Sequence, residues 1–366
     1  MEKIELGDVL SYEQPTKYIV ESQDYNDSYT TPVLTAGKSF ILGYTDEEKG
    51  IFTNLPVIIF DDFTTAFKFV DFPFKVKSSA MKILSANENI ADIRFLFYKM
   101  QTIKINSDEH KRFWISKYSK IKILLPPLAT QQKIAAILDK ADELRQYNKQ
   151  LIEKYDALTQ SLFLDMFGDP VRNEKGWEKI ELKKVTRKIG SGSTPRGGKE
   201  SYQTEGISLI RSLNIYDNIF KYKNLAFITD IQADKLKNVT VESNDVLFNI
   251  TGASVCRCTV VPDDVLPARV NQHVSILRTR TEILTPLFLS HLLISENVKI
   301  KLLGVGSAGG AIMEAITKEQ LEKFKIIIPP ISLQNQFAER VQLIESQKQQ
   351  AQEALEKSEA LFQSLL

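Results

Sequence analysis

IKILLPPLATQQKIAAILDKADEL, from Ile121 to Leu144, decides the architecture, because FKIIIPPISLQNQFAERVQLIESQ repeats its pattern from Phe324 to Gln347. In each copy an aliphatic, strand-like run stops at a proline pair, Pro126–Pro127 and Pro329–Pro330. A short polar segment with paired glutamines follows (Gln131 and Gln132; Gln334 and Gln336), and then an amphipathic helix begins. Proline has no N–H for a strand ladder but presets φ for a first helical turn, so the pair marks a switch from strand to helix. Downstream of the first pair, Ile134, Ala141, Asn148, Tyr155 and Leu162 recur every seven residues. Ile137, Leu144, Leu151 and Leu158 do the same, and the two rows interleave as the expected seam of a coiled coil. The spacing predicts a helix from Thr130 to about Phe167, about 57 Å long at 1.5 Å per residue, stopped by Gly168, Asp169 and Pro170. The second helix, Ser332 to Leu366, has a seam of Phe337, Ile344, Ala351, Ser358 and Leu365 interleaved with Val341, Lys348, Leu355 and Phe362. Asn148 and Lys348 are polar intrusions of the kind that fix register at some cost in stability.

Outward from the helices, the chain reads as globular, helix, globular, helix, with boundaries at 1–125, 126–167, 168–328 and 329–366. Both globular parts carry short Val-, Ile- and Phe-rich runs broken by Gly, Pro and Asp, with isolated helical stretches at Ala91–Met100 and around Pro286–Leu303 and a loop at Gly304–Ile312. VIIFDDFTT (Val57–Thr65) and DVLFNITGA (Asp245–Ala253) precede FKVKSSAMKIL and ARVNQHVSIL at similar distances, a second sign of duplication. The expected fold is α+β, a pseudo-two-fold internal repeat of two globular domains separated by two long antiparallel coiled-coil helices.

The chain has 366 residues and a formal net charge of +1, which by itself does not announce a polyanionic partner. The distribution is more informative. Residues 168–328 hold 23 Lys/Arg against 18 Asp/Glu, and the run from Lys183 through Lys184, Arg187, Lys188 and Arg196 to Lys199 contains no acid. Such a run suits a local phosphate-binding surface or, equally, a solvated face. No apolar run reaches the roughly 20 residues of a membrane span, and Cys256 and Cys258 lack the partners of a zinc site or a disulfide framework. A cytoplasmic protein without metal or cofactor is expected.

Motifs for self-contained catalysis fail on inspection. GSGSTPRGGKE (Gly190–Glu200) departs from a phosphate-binding P-loop at both ends, since Glu200 follows Gly198–Lys199 and Ser193 stands where the first glycine belongs. The proline pairs lack the preceding Asn or Asp of an amino-methyltransferase. Asp61–Asp62 and Asp263–Asp264 are isolated pairs, and His110, His273 and His291 have no ligand spacing. The open alternatives are a standalone DNA-acting nuclease and a purely structural coiled-coil adaptor.

The duplicated Pro-Pro helices, the FLDMFGDP ending of the first, the following Gly-Trp and the segment LFNITGASVCRCTVVPDDVLPARVNQHVSILR together resemble the specificity subunits of type I restriction–modification systems. The resemblance spans essentially the whole chain and departs at Cys256 and Cys258, where small residues are expected. It implies a non-catalytic subunit whose two target-recognition domains each read one half of a split sequence in double-stranded DNA. It also implies that the helices act as a ruler and dock two methyltransferase (modification) subunits, with restriction subunits joining through them. On that basis the candidate DNA contacts of the second domain are Ser193, Thr194, Arg196 and Lys199 in the glycine-rich loop, Arg211 and Asn214 after a strand, and Asn271, Gln272 and His273. The last three are alternatively a turn at the edge of the core. In the first domain the candidates are Thr35, Lys38, Thr64, Thr65, Lys111 and Arg112.

Overall fold

A computed structural model of the chain describes every residue except Met1, Lys38, residues 104–111, Arg196 and residues 308–314. The chain divides into two compact units, Met1–Gln150 with Ala351–Leu366, and Leu151–Gln350.

In the first unit, strand β1 (Glu2–Glu5) passes through a single helical turn, α1 (Leu6–Val9), into β2 (Leu10–Glu13). Strands β3 (Thr31–Leu34), β4 (Ile41–Thr45), β5 (Val57–Asp61), β6 (Phe67–Val70), β7 (Lys75–Val76) and β8 (Met81–Ala86) follow. Helices α2 (Ile93–Gln101) and α3 (Phe113–Ser116) and strand β9 (Lys122–Leu125) then lead to the long helix α4 (Leu128–Phe167). One sheet has the order β2-β8-β5-β6, a second has the order β4-β3-β7, and β1 pairs with β9. The run VIIF in β5 is fully buried because the sheet is covered on both faces, and such a strand reads as continuously apolar. Ile58 and Phe60 pack with Phe95, Leu96 and Trp114, whereas Val57 and Ile59 pack with Val33's neighbour Leu34, Phe74 and Val76.

The second unit repeats this plan. Its strands and helices are β10 (Glu178–Glu181), α5 (Leu182–Val185), β11 (Thr186–Ser191), β12 (Ile207–Ile210), β13 (Ile215–Tyr216), β14 (Ile219–Phe220), β15 (Ala226–Ile228), α6 (Asp230–Asp234) and β16 (Thr240–Val241). Then come β17 (Val246–Asn249), β18 (Cys258–Val260), β19 (Ala268–Val270), β20 (Val274–Thr279), α7 (Pro286–Ile294), α8 (Glu296–Ser307), α9 (Lys318–Lys323), β21 (Lys325–Ile328) and α10 (Ile331–Leu365). The sheet β11-β20-β17-β18 matches β2-β8-β5-β6 strand for strand, and the sheet β15-β12-β19-β16 contains the counterpart of β4-β3-β7. A parallel strand pairing falls at the same place in each unit, β3 with β7 and β12 with β19. Both units are closed by their own ends. EKIE of β1 lies antiparallel to KILL of β9 with Glu2 opposite Leu125, and an identical EKIE in β10 lies antiparallel to KIII of β21 with Glu178 opposite Ile328. The loop expected at Gly304–Ile312 is helical as far as Ser307, and its remainder lies outside the described residues.

The glutamines after the proline pairs explain why the two helix starts agree. Gln131 is fully buried; its amide donates to the carbonyls of Pro126 (2.8 Å) and Ile90 (2.9 Å), and its oxygen accepts from the N–H of Asp92 (2.9 Å). Gln334 repeats the circuit with Pro329 (2.9 Å), Ile283 (3.0 Å) and the N–H of Thr285 (2.9 Å). Asp92 and Thr285 are themselves the N-caps of α2 and α7. One side chain therefore joins three backbone groups that neither helix nor sheet satisfies. The other end of α4 is closed by Gly168 at φ +73°, by Trp177 donating from Nε1 to the Phe167 carbonyl (2.9 Å), and by Lys175 donating to the Asp165 and Met166 carbonyls. The Gly-Asp-Pro and Gly-Trp stretches are thus a C-terminal cap.

Within each unit the long helices run antiparallel. In the first unit Lys149 meets Glu359 and Arg145 lies over Phe362; in the second Lys348 meets Asp156 and Phe163 meets Phe337. Along α10, Phe337, Val341 and Phe362 are buried and Ile344 and Leu355 half-buried. On α4 one of the two expected seam rows is corrected. Ile137, Leu144, Leu151 and Leu158 are exposed (55%, 49%, 39% and 49%), and the row facing inward is Leu138, Arg145, Ile152, Thr159 and Met166. Ile134 keeps its half-buried place, and the seam continues from it at i+4 instead of i+3. Both steps preserve a seven-residue period, so periodicity alone does not separate them. The aliphatic residues one step away drew the reading to the wrong face.

Candidate nucleic-acid interface

The frame presents its loops at the ends of the sheets, and in the second unit these loops meet. Gly192, which opens the glycine-rich loop after β11, lies so close to β19 that a Cβ there would stand 1.7 Å from the Val270 carbonyl oxygen. Its N–H donates to the Asn271 carbonyl (3.2 Å), which seats the loop on the turn between β19 and β20. From that seat a chain of polar side chains crosses the surface. The Thr194 hydroxyl donates to Gln272 Oε1, Gln272 Nε2 meets His273 Nε2 at 3.2 Å, and His273 Nδ1 meets Thr251 Oγ1 at 2.6 Å. An amide nitrogen only donates, so the neutral imidazole accepts at Nε2 and donates from Nδ1. The Thr251 hydroxyl proton is then free for a further acceptor.

The chain ends in a groove of about 370 Å³ lined by Ser212, Tyr216, Thr251, Ser254, Arg257 and His273, among others. The Arg257 guanidinium stands 4.4 Å from the centre of the Tyr216 ring and the Lys221 ammonium 3.6 Å from it. Motif reading missed Tyr216, Lys221 and Arg257, since 41 positions separate the ring from Arg257 and no local pattern connects them. One signal was present, because Arg257 is the single charged residue between Val246 and Pro262.

The individual candidates separate clearly. Ser193 is exposed and Thr194 half-buried in the relay. Arg196 lies outside the described residues, and Lys199 stands in a single turn at Gly198–Ser201. Asn214 is corrected: it is fully buried, its amide donates to the Lys221 carbonyl (2.8 Å), and its oxygen accepts from the Arg211 N–H (3.1 Å). Its polar groups hold the β13–β14 corner and face no solvent. Asn271 is likewise a turn residue, 6% exposed, with its oxygen accepting from the His273 N–H. Arg211 donates to the Asn224 carbonyl and lies over Tyr202. Gln272 is exposed and His273 half-buried.

In the first unit, Thr64 and Thr65 form the turn between β5 and β6. The Asp61 carboxylate accepts from the N–H groups of Phe63 (2.9 Å) and Thr64 (2.8 Å), and Thr65 takes φ of +59°. Arg112 is exposed beside this turn, because the N–H of its neighbour Phe113 donates to the Asp62 carbonyl (3.0 Å). Asp62 is held by the Trp114 N–H (2.8 Å) and by the buried Lys82 (3.3 Å). Thr35 follows β3 as Arg211 follows β12, so the two occupy corresponding places. Lys38 and Lys111 lie outside the described residues.

Electrostatically, the acid-free run of the second unit is not acid-free in space. Lys183 pairs with Glu181 (3.1 Å) and Arg187 with Glu282 (3.0 Å). Lys188 sits beside Arg278, and burial first, then that like charge, pushes its ammonium below the usual lysine range. Cys256 and Cys258 are buried in the core, and burial raises the Cys258 thiol to about 12. Among the described residues no group of His, Cys, Asp and Glu is arranged to hold a metal ion, and no helix is long and apolar enough to cross a membrane.

Comparison with known proteins places the chain as a whole. The family described as the type I restriction modification DNA specificity domain matches residues 1–155 and again residues 174–357. The EcoR124I/EcoR124II specificity subunit of Escherichia coli is 32% identical over 355 residues, 93% of this chain and 85% of that protein. The MjaVIII specificity subunit of Methanocaldococcus jannaschii is 24% identical, covering 100% of this chain and 91% of its own. Among solved structures, the S subunit from M. genitalium superposes with a TM-score of 0.66 at 14% identity, covering 100% of this chain and 94% of that one. At those identities the structural likeness speaks for the fold, and the sequence matches carry the assignment. The chain belongs to the family of type I restriction–modification DNA specificity subunits.

Proposed function

We propose that this chain reads a bipartite, gapped sequence in double-stranded DNA without catalysing a reaction itself, each half-site being read by one of the two recognition segments, 1–125 and 168–328. The helical segments 126–167 and 329–366 then set the length of the gap and receive two modification subunits, through which restriction subunits join. The observation that carries this reading is the agreement of frame with disagreement of loops. The two units share strand order, closing strands and the glutamine circuit, yet the corresponding turns carry Phe63, Thr64 and Thr65 in one and Thr251 to Arg257 in the other. Two copies of one scaffold with different surfaces suit a target of two different halves. Candidate contacts are Thr35, Lys38, Thr64, Thr65, Lys111 and Arg112 in the first unit. In the second they are Ser193, Thr194, Arg196, Lys199, Arg211, Gln272 and His273, with phosphate contacts for position and base-edge contacts for sequence. A 40-residue helix is about 60 Å long, against about 34–36 Å for one turn of DNA, which leaves room for an uncontacted gap.

The test is selection from a pool of random duplexes by the chain in complex with its modification subunits. One asymmetric motif with a gap of constant length is expected, and exchange of residues 1–125 for the corresponding part of a relative should change one half of it only. Enrichment of no sequence, or cleavage of plasmid DNA by the purified chain with magnesium, would overturn the proposal.

A further inference from the structure

The groove of the second unit contains a cation whose surroundings are unusual. Among the described residues none that lines it is acidic, and neither Arg257 nor Lys221 has a carboxylate partner. Both cations rest on the same Tyr216 ring. A guanidinium stacked on an aromatic face keeps its in-plane N–H edge for another partner. The backbone fixes where that side chain begins. Cys256 takes φ of +68°, a conformation L residues rarely adopt, and this sends its own side chain into the core. Around it the Arg257 N–H donates to the Ser254 carbonyl (3.2 Å), the Cys256 N–H to the Asn249 carbonyl (2.9 Å) and the Asn249 N–H to the Arg257 carbonyl (2.8 Å). Backbone strain of this kind is retained where surrounding structure enforces it, and it concentrates at functional sites.

We propose that Arg257 is a specificity-determining residue that reads a guanine in the half-site of the second unit, with the Thr251 hydroxyl beside it and Lys221 on a neighbouring phosphate. The assignment rests on the DNA-reading function proposed above and narrows it to one residue and one base. A phosphate is satisfied by a mobile ammonium from many directions. A guanidinium laid over a ring, on a backbone held by a left-handed residue and three main-chain bonds, suits an acceptor pair of fixed direction. Guanine O6 and N7 present such a pair in the major groove.

The experiment repeats the duplex selection with the complex carrying Arg257→Ala, Arg257→Lys or Lys221→Ala, and measures affinity for the selected site at several salt concentrations. Arg257→Ala should lose the preference for one guanine while the first unit's half-site and the gap persist, with affinity for the selected site falling about 10- to 100-fold. Arg257→Lys should not restore that guanine, because it keeps the charge and lacks the fork. Lys221→Ala should weaken all sequences alike and lower the salt slope by about one. An unchanged motif in Arg257→Ala overturns the assignment. So does a uniform loss across sequences with a reduced salt slope, which would make Arg257 a phosphate contact. Should Arg257→Ala erase the whole second half-site, Arg257→Lys decides: loss of one guanine supports the assignment and its retention defeats it. A wild-type complex that selects no motif would sink the DNA-reading function itself, an outcome distinct from these.

Discussion

The two units solve the same folding problem and present different chemistry. Their sheets, closing strands and glutamine circuits correspond, whereas the second unit has a Gly192 seat, a polar relay and an arginine-lined groove, and the first has a tight Asp61-capped turn with Arg112 beside it. Even the ion pairs built on buried aspartates sit at different ends of equivalent strands. Lys82 of β8 pairs with Asp62 after β5, and Arg278 of β20 pairs with Asp245 before β17. Burial of the frame fixes the backbone, which frees the loop residues to diverge without affecting the core.

The sharpest attempt to break this comparison removes the shared circuit. Gln131→Ala and Gln334→Ala each take the partner from three backbone groups that are partly or fully buried, and each should cost its own unit roughly 3–6 kcal/mol, read as a lower transition in calorimetry. Comparable losses would sharpen the equivalence of the frames; a harmless Gln131→Ala would break it. Next in size is the seam. Leu138→Ala should cost about 2–5 kcal/mol, and Ile137→Ala and Leu144→Ala should stay within about 0.5 kcal/mol. Equal effects from Ile137 and Leu138 would contradict the inward row. The loops should differ where the frames agree. Gly192→Ala forces the backbone off Val270 and should cost about 1–3 kcal/mol while degrading the second half-site. Gly37→Ala meets only Thr35 Oγ1 at 3.7 Å and should be nearly silent in both measurements.

The last expected effect concerns pH and one unit only. Burial pushes the His291 imidazole of the second unit down to about 4, from an ordinary value of 6.5. A base that protonates less readily when folded contributes stability fully present above pH 6.5 and lost as pH falls towards 4. The loss is at most about 1.4 kcal/mol per pH unit. Thermal melts from pH 7 to 4.5 should show this slope, and His291→Gln should flatten it.

The long helices were legible because proline pairs and a seven-residue period are local signals, and the duplication was legible because they occur twice. The identical EKIE tetrapeptides at Glu2 and Glu178 are a third copy signal, but four residues carry little weight until their partner strands are known. The second seam row of α4 was misplaced by one residue because exposed Ile137, Leu144, Leu151 and Leu158 mimic a core face. At the candidate interface, composition points to the glycine-rich loop and to the Gln272–His273 turn, and the structure joins the two through Thr194. Asn214 was misjudged, because an asparagine after a strand serves a buried corner as readily as a base edge. Arg257 went unnoticed because its meaning comes from a ring far away in the chain.

The glutamine circuits have one more consequence. A protein that grips polyanions through lysine and arginine releases them as salt rises, because displaced counterions no longer favour the complex. An amide bonded to carbonyls and an N–H carries no net charge, and screening of ions leaves it untouched. Each unit therefore keeps its orientation on its helix start through Gln131 or Gln334 under ionic conditions that would strip the proposed reader from DNA. On the proposed function, release and rebinding then require no rebuilding of either unit's own scaffold.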